Sequence, residues 1–233
     1  MLPIQVNLKD KVVVITGAGG VICSYLARIY AESGAKVALL DLNKEMAEKN
    51  AKVLREEGYV AYGYEANVLK KDSLSACHEQ ILKDLGPCDI LVNGAGGNNP
   101  RATTDNEFAE LDDAKKGIKS FFELDESGVE FVFNLNFLGT LLPTQIFAED
   151  RIGRKDCSIL NISSRNASLH SRRFLLILAQ KLLFLTSQSG LLFTSLMLES
   201  VSMPLLLDSS LRSRTKSFYG IRMALRPLVL ARS

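Results

Sequence analysis

The chain has 233 residues, of which 47% are hydrophobic, and a formal net charge of +2 at neutral pH. This length suits one large domain or two small ones, and the hydrophobic content is enough to build a core. A net charge so close to zero argues against nucleic acid or an anionic lipid surface as a partner. Four scattered cysteines show neither metal-ligand spacing nor a paired framework. We therefore expect no metal site and reduced thiols.

Two segments bear on localisation. Residues 1–10 show no basic region followed by an apolar run, so no secretory signal is predicted. The stretch from Phe174 to Leu198 is apolar, but Gln180, Lys181 and several hydroxyl side chains interrupt it. Such groups are costly in hydrocarbon. We expect a cytoplasmic protein that does not span a membrane.

Short apolar strands alternate with amphipathic helices over the first two thirds of the chain. Strands are predicted at Lys11–Thr16, Lys36–Leu40, Val60–Tyr64, Asp89–Asn93 and Cys157–Ile162, and helices at Ser24–Ser33, Lys44–Glu57, Asp72–Leu85 and Val129–Ala148. A strand that is apolar at every position is typical of a parallel sheet covered on both faces. The alternation predicts an α/β fold of the Rossmann type, a doubly wound parallel sheet with helices on both faces. A long polar connection, Asn98–Asp125, is expected to be a functional lid or disordered.

The pattern changes near Ser168. From there to the end, nine Lys and Arg residues accompany only two acids, Glu199 and Asp208, and no regular helix or strand period is found. We therefore divide the chain into a nucleotide-binding domain, residues 1–167, and a tail, residues 168–233, expected to be irregular or non-native.

A glycine-rich turn, Thr-Gly-Ala-Gly-Gly-Val-Ile-Cys, joins the first strand to the first helix. Glycines there let the backbone approach a pyrophosphate, which the helix N-terminus stabilises. The second strand ends at Asp41, whose carboxylate can accept hydrogen bonds from both ribose hydroxyls and repels a 2′-phosphate. This favours NAD over NADP, although an ordinary tight turn and a solvated aspartate remain the alternatives. The candidate cofactor-binding residues in these two segments are Thr16, Gly17, Gly19, Gly20, Val21, Ile22 and Asp41.

Three motifs occur in a familiar order: Thr16-Gly17, Asn93-Gly-Ala-Gly96 and Asn161-Ile-Ser-Ser164. Over about residues 5–167 the chain resembles the short-chain dehydrogenase/reductase family. Val21 and Cys23 stand where the common glycine pattern has its last two glycines. That variant, together with Asn93–Pro100 and the long loop behind it, resembles the D-mannonate oxidoreductase (fructuronate reductase) branch.

The resemblance implies roles for particular residues. Asn93, Gly94, Ala95 and Gly96 would line the cofactor ribose and stabilise the central strand, and Asn67 with Val68 would lie near the adenine. For catalysis it implies that Asn136 anchors a proton-relay water and that Ser164 orients the substrate oxygen. Without the surrounding pattern, Asn136 would be a residue at a helix kink and Ser164 the end of a strand. The family also implies a homotetramer, which the altered tail puts in doubt.

The family's catalytic tyrosine is missing. Its Tyr-x-x-x-Lys motif, counted from Ser164, falls on Ile177 and Lys181, so the lysine is present and the tyrosine is not. In the family the lysine holds the ribose and lowers the pKa of the tyrosine that transfers the proton.

A one-base shift of reading frame accounts for this loss. Codons that encode Phe174–Leu183 can be regrouped to give Pro-Ala-Tyr-Ser-Gly-Ala-Lys-Ala, and the same regrouping of Leu198–Ser210 and Tyr219–Pro227 gives further family-like sequence. Loss of one T from a TTC codon near Ser168 would turn Phe-Thr-Pro-Leu-Thr-Lys into the sequence of residues 168–173. We therefore expect a frameshift close to Ser168 and a chain that lacks the sixth strand of the family.

Three functions are consistent with these observations. The first is an NAD(P)-dependent oxidoreductase for a sugar acid such as D-mannonate or D-fructuronate, inactive as written. The second is another reductase of the family, acting on a 3-oxoacyl or polyol substrate, and the third is a non-catalytic nucleotide-binding protein. Arg101, Arg151 and Arg165 could pair with a substrate carboxylate, although each could equally be an ordinary surface charge.

Overall fold

The computed structural model describes residues 6–106, 110–164 and 201–207. In this part of the chain, six parallel strands form one sheet in the order β3-β2-β1-β4-β5-β6. The strands are β1 Val12–Thr16, β2 Lys36–Asp41, β3 Ala61–Glu65, β4 Ile90–Asn93, β5 Ser158–Ser164 and β6 Val201–Leu207, and the helices are α1 Val21–Glu32, α2 Lys44–Glu56, α3 Lys71–Asp84, α4 Glu126–Phe133 and α5 Gly139–Phe147. The predicted doubly wound α/β fold is confirmed.

The central strand β1 serves two hydrophobic cores, one on each face of the sheet. Val13 and Ile15 pack in the core that includes α1 and α2. Val12 and Val14 pack in the core that includes α3 and the end of α5. All five β1 residues are buried. This explains why the strand is apolar at every position, since side chains alternate between the two faces.

Local capping signals set the helix ends next to the sheet. α1 is followed by Gly34 at a φ of +91°, in the left-handed region that glycine adopts freely. α2 begins after Asn43, whose side-chain oxygen accepts a hydrogen bond from the Met46 N–H at 3.1 Å. These caps place both helices close to the lengths that the sequence predicts.

The single helix predicted at Val129–Ala148 is interrupted. α4 and α5 are separated by a π-helical turn, Asn134–Leu138. Pro143 lies inside α5 and has no N–H for the carbonyl one turn earlier. The hydroxyls of Thr140 and Thr144 donate to the carbonyls of Asn136 and Thr140, a contact that bends helices. The apolar period continues through the interruption, which is why the sequence predicted one helix.

The connection between β4 and α4 contains three short 3₁₀ turns, at Pro100–Ala102, Ala114–Lys116 and Phe121–Glu123. Asp105 and Lys119 join its two arms. The Lys119 N–H donates to Asp105 Oδ2 at 2.7 Å, and the Asp105 N–H donates to the Lys119 carbonyl at 2.9 Å. The described part of this loop is therefore folded back on itself.

The strand β6 corrects the expectation that the tail lacks a sixth strand. Val201–Leu207 pairs in parallel with β5, from Ser158 opposite Val201 to Ser164 opposite Leu207. An apolar run of strand length can add to the free edge of β5 whatever its origin. Pro204 is compatible with this position, because a strand at the end of the sheet order needs ladder hydrogen bonds on one side only. The rest of the tail lies outside the described residues.

Among the helices that the structure describes, none is long and apolar enough to cross a membrane. The apolar stretch from Phe174 to Leu198 lies outside the described residues. Cys23, Cys77, Cys88 and Cys157 are all unpaired and buried.

Candidate functional site

The carboxyl ends of β1 and β4 meet where the strand order reverses, the usual ligand crevice of such sheets. Thr16 ends β1 and its hydroxyl oxygen accepts hydrogen bonds from the N–H groups of Gly94 and Ala95, each at 3.1 Å. One buried threonine thereby ties the two motif segments together. The sequence predicted both segments as part of one site, and the structure brings them into contact.

Two glycines allow this close approach. Gly17 has a φ of +71°, and a Cβ there would lie 2.9 Å from the Ala95 Cα. A Cβ on Gly94 would lie 2.3 Å from Cys23 Sγ and 2.7 Å from the Thr16 carbonyl oxygen. Both positions are closed to any larger residue, so the bare backbone lines the crevice.

α1 begins a few residues after β1, at the same edge of the sheet as the crevice. The Gly20 N–H donates to the Gly17 carbonyl at 3.1 Å, which closes the turn just before the helix. Gly20 supplies no side-chain cap, so the amides of Val21 and Ile22 are free to bind an anion. The side chains of these two residues are exposed. The pyrophosphate site stays a prediction, and this helix start supplies backbone amides for it.

Asp41 lies against the glycine turn. Its Oδ2 accepts a hydrogen bond from the Gly19 N–H at 2.9 Å, and its Oδ1 accepts one from the Asn43 N–H at 2.9 Å. A Cβ on Gly19 would lie 2.8 Å from Asp41 Oδ2. The carboxylate is thus fixed at the carboxyl end of β2, where the sequence analysis placed the contact to the ribose.

Asn67 and Val68 follow β3 on the same edge of the sheet. Asn67 Oδ1 accepts from the Leu69 N–H at 2.9 Å, and the Asn67 N–H donates to Ser73 Oγ at 2.9 Å. Val68 is buried, and a Cβ added to Gly139 would lie 3.1 Å from its Cγ2. Asn67 therefore uses its oxygen in its own turn, which leaves its amide NH₂ for a ligand.

Asn93 is 2% exposed and points into the protein rather than into the crevice. Its Nδ2 donates to Thr144 Oγ1 at 2.9 Å and to Asn161 Oδ1 at 2.7 Å. It thus joins β4 to both β5 and α5, in agreement with the predicted stabilising role. A contact of the Asn93–Gly96 segment with a cofactor ribose stays a prediction.

Asn136 lies in the π-helical turn and bridges it to the segment after β4. Its Nδ2 donates to the carbonyls of Gly97 and Val132, both at 2.8 Å, and its Oδ1 accepts from the Gly97 N–H at 3.2 Å. Val132 would be the partner of the Asn136 N–H in an uninterrupted α-helix. The side chain therefore gives the Val132 carbonyl a hydrogen bond at the start of the turn, and it holds Gly97 against this turn.

Ser164 is the last residue of β5. In the register of the sheet Asn93 pairs with Asn161, so Ser164 lies on the carboxyl side of the β4 end, at the same edge as the crevice. Lys181 and Ile177 lie outside the described residues. The structure thus brings the positions of Asn136 and Ser164 to one edge and leaves the lysine undescribed.

Cys23 occupies the last glycine position of the common turn motif and is 4% exposed. Burial, with a smaller contribution from the charge of Asp41, raises the pKa of its thiol to about 12. Cys23 therefore stays neutral near pH 7 and acts as a small apolar residue between α1 and Gly94.

The three arginines proposed as carboxylate partners behave differently. Arg101 Nη1 donates to Ser127 Oγ at 2.9 Å and lies 3.8 Å from Asp125 Oδ1, so its charge is already paired. Arg151 is 2% exposed, and its guanidinium has no hydrogen-bond partner within the part of the chain that the structure describes. Arg165 lies outside the described residues. Arg101 therefore has partners within the described residues, whereas Arg151 is shut off from solvent.

Sequence reasoning missed two residues that organise the site. Asn50, on α2, donates from Nδ2 to the Ala18 carbonyl at 2.9 Å. Thr144, on α5, accepts from Asn93. Neither residue belongs to a recognisable motif. Both are polar residues on helices that the sequence predicts from the spacing of apolar residues alone. A polar residue one turn from buried alanines was the available signal for Asn50.

Comparison with known proteins agrees with this geometry. The model of the short chain dehydrogenase family matches residues 11–176. An uncharacterized oxidoreductase from Haemophilus influenzae is 55% identical over 161 residues, which is 69% of this chain and 56% of that protein. The chain therefore spans little more than half the length of the curated relatives that it matches.

Two solved structures are also similar. A candidate D-mannonate oxidoreductase from Haemophilus influenzae with bound NAD superposes with a TM-score of 0.81 at 44% identity, covering 88% of this chain and 74% of that one. A gluconate 5-dehydrogenase from Burkholderia cenocepacia in complex with NADP and tartrate gives a TM-score of 0.73 at 25% identity, covering 88% and 73%. With the family match, the glycine turn and the strand order, these similarities show that the chain belongs to the short-chain dehydrogenase family of NAD(P)-dependent oxidoreductases.

Proposed function

We propose that residues 1–167 form the cofactor-binding domain of an NAD-dependent oxidoreductase that acts on a hydroxyl group of a sugar acid such as D-mannonate. The observation that carries the cofactor assignment is the position of Asp41, whose carboxylate is fixed against the glycine turn by the Gly19 N–H. A negative charge there accepts hydrogen bonds from a ribose diol and repels a 2′-phosphate. The similar Haemophilus influenzae structure contains NAD, which supports this choice.

The residues present fit this cofactor. A Cβ would fill the crevice at Gly17 and at Gly94, so the backbone can lie against a pyrophosphate that the first amides of α1 would bind. Asp41 would hold the ribose diol, and Asn67 has an amide left to contact the base. Bound NAD supplies the acceptor for the hydride that leaves the substrate carbon.

The proton side of the reaction depends on Ser164, Asn136 and Lys181. Ser164 would hold the substrate oxygen, Asn136 would anchor the proton-relay water, and Lys181 would bind the ribose. Isoleucine at position 177 has no proton to exchange. Without a positioned acid or base the rate falls by about 10²–10⁴, so we expect this chain to bind NAD with little turnover.

We attribute the isoleucine to a frameshift near Ser168, so that residues 168–233 replace the family's catalytic helix and substrate loop. Lys181 survives because the two overlapping lysine codons share bases. The DNA around this codon tests the proposal directly. Codons that cannot encode Pro-Ala-Tyr-Ser-Gly-Ala-Lys-Ala in the shifted phase would refute it.

The substrate assignment rests on the polar connection between β4 and α4 and on the Haemophilus influenzae neighbour. The polar contacts of this loop suit a hydroxylated substrate, and the support for an acid group on it comes from the Haemophilus influenzae neighbour. A 3-oxoacyl or polyol substrate is the second candidate, and a non-catalytic nucleotide-binding protein is the third.

Calorimetric titration with NAD, followed by activity assays, distinguishes the three. We expect NAD binding without turnover by the chain as written, and oxidation of D-mannonate once the frame is restored. Oxidation of a polyol alone, or reduction of a 3-oxoacyl ester alone, by the restored protein would favour the second candidate. Binding without turnover in both proteins would favour the third.

For the restored protein we further propose a cytoplasmic homotetramer. The altered tail puts assembly of the present chain in doubt. Light scattering coupled to size exclusion would compare the two, and a restored protein that remains monomeric would contradict the assembly proposal.

A further inference from the structure

The peptide group between Ala18 and Gly19 is held from both sides by the β2–α2 segment. Its carbonyl accepts a hydrogen bond from Asn50 Nδ2 at 2.9 Å. Its N–H donates to Asp41 Oδ2, also at 2.9 Å. Because the carbonyl and the N–H of a planar trans peptide point in opposite directions, one rigid unit connects Asn50 to Asp41.

The surroundings leave this peptide little freedom to rotate. Ala18 is fully buried, and its own N–H donates to the Leu40 carbonyl at 2.9 Å. A Cβ on Gly19 would lie 3.0 Å from the Met46 Cβ, so α2 packs directly against the turn. The turn is therefore positioned by α2 as well as by β1, and Asn50 is the α2 side chain that bonds to it.

We propose that Asn50 is a positioning residue for cofactor selection, an inference that rests on the proposed NAD-binding function. By fixing the Ala18–Gly19 peptide, Asn50 directs the Gly19 N–H at one carboxylate oxygen of Asp41. Each oxygen of Asp41 accepts one backbone hydrogen bond, which leaves lone pairs for the two ribose hydroxyls. The orientation of the carboxylate, and with it the discrimination between a ribose hydroxyl and a 2′-phosphate, therefore depends on a residue that touches no ligand.

Dinucleotide affinities of Asn50 variants test this proposal in the full chain. We expect Asn50→Ala to weaken NAD binding about fivefold, as for loss of one hydrogen bond, and to weaken NADP binding less. We expect Asn50→Leu, which is close to asparagine in size but has neither a donor nor a charge, to weaken NAD binding by a similar factor. The ratio of the NAD and NADP dissociation constants should therefore shift in both variants.

Arg55→Ala supplies the matched control. Arg55 lies on the same helix and donates to the Ala61 carbonyl at 2.8 Å, so its loss loosens α2 without touching the glycine turn. This variant should unfold at a lower temperature while its NAD-to-NADP ratio stays at the wild-type value. A general loosening of α2 would weaken both dinucleotides equally and leave the ratio unchanged.

A double variant tests whether Asn50 acts through Asp41. If it does, Asn50→Ala should have little further effect on NAD affinity in the Asp41→Ala background, where no acceptor for the Gly19 N–H is left to orient. An unchanged ratio in both Asn50 variants, or full additivity with Asp41→Ala, would overturn the inference while the proposed function stands. Failure of the wild-type chain to bind either dinucleotide would overturn both.

Discussion

Asn93 and Asn161 face each other across two neighbouring strands, with the Asn93 Nδ2 2.7 Å from Asn161 Oδ1. Both side chains are buried, and this contact lies one residue before the glycine segment of the crevice. A polar contact between two buried side chains therefore joins the end of β4 to β5.

We expect Asn161→Ala to lower the free energy of unfolding by about 1–3 kcal/mol, because it leaves a buried donor without its partner. Urea denaturation of the full chain measures this loss. Asn134→Ala, which removes an exposed amide 3.5 Å from Glu130, is the control and should change stability little. Equal effects of the two substitutions would contradict the role assigned to the buried pair.

Gly94→Ala should destabilise the protein by about 1–3 kcal/mol, because the new methyl group would clash with Cys23 Sγ and the Thr16 carbonyl oxygen. Gly97→Ala is the matched control, because its nearest atom would be Leu135 Cδ2 at 3.7 Å, an ordinary contact. Thermal unfolding with and without NAD measures both effects. Cys23→Ala removes the sulfur atom and keeps a good helix former, so Gly94→Ala should cost less in the Cys23→Ala background than in the wild type. An equal cost in both backgrounds would show that Cys23 does not limit this packing.

Arg151 and Arg154 should give opposite results when each is replaced by leucine. Arg151 is a buried cation without a hydrogen-bond partner in the described part of the chain, so Arg151→Leu should raise the free energy of unfolding by about 3 kcal/mol. Arg154 Nη2 donates to the buried Asp89 at 2.7 Å, so Arg154→Leu should lower it by about 1–2 kcal/mol. Chemical denaturation of both variants checks the signs. A loss of stability in Arg151→Leu would mean that its guanidinium is paired.

The buried thiols predict a loss of stability in alkaline solution. Burial raises the pKa of Cys77 to about 12, whereas an unfolded thiol ionises near about pH 8.5. Above about pH 8.5 the folded state therefore keeps a proton that the unfolded state loses. The contribution of Cys77 to the free energy of unfolding is complete below about pH 8.5 and falls as the pH rises toward 12.

Between about pH 9 and 11, ionisation of this thiol in the unfolded state should lower the free energy of unfolding by about 1.4 kcal/mol per pH unit. Cys77→Ala removes that contribution, so its stability should fall less steeply with pH than that of the wild type. Free energies of unfolding from urea titrations across this range measure the two slopes. Identical slopes would show that the folded protein does not suppress ionisation of Cys77.

Exchange of Asp41 should change cofactor preference. In Asp41→Asn the side chain keeps an oxygen near the Gly19 N–H but loses its negative charge, so NADP should gain affinity relative to NAD by about tenfold. Competition binding with the two dinucleotides measures the ratio, with Glu45→Gln on the exposed start of α2 as control. A ratio that does not change would mean that another group selects the cofactor.

The sequence predicted the parts of the fold that follow from repeating local patterns. The β1 strand and the turn after it could be placed because Val12–Ile15 are apolar without interruption and Thr16-Gly17 follows at once. Asp41 could be placed because it ends an equally apolar strand. These are features of neighbouring residues, and their meaning does not depend on distant contacts.

Contacts between distant residues could not be predicted in this way. Asn136 in the π-helical turn contacts Gly97, 39 positions away. Asn50 on α2 contacts Ala18 in the glycine turn, 32 positions away. The strand β6 was not predicted for a different reason, because its sequence is attributed to a shifted reading frame. Pairing with an open sheet edge requires little more than an apolar extended segment.

β1 packs against an apolar core on each face of the sheet, so hydrophobic burial alone does not fix its register. A slip by one position would move Val13 and Ile15 to the opposite layer, where they would still be surrounded by aliphatic side chains. The Thr16 hydroxyl distinguishes the two registers. If β1 shifted by one residue, Ile15 or Gly17 would lie beside Gly94 and Ala95, and the N–H groups of those two residues would lose their acceptor. The Thr16 hydroxyl thus helps to align β1 with the segment that follows β4.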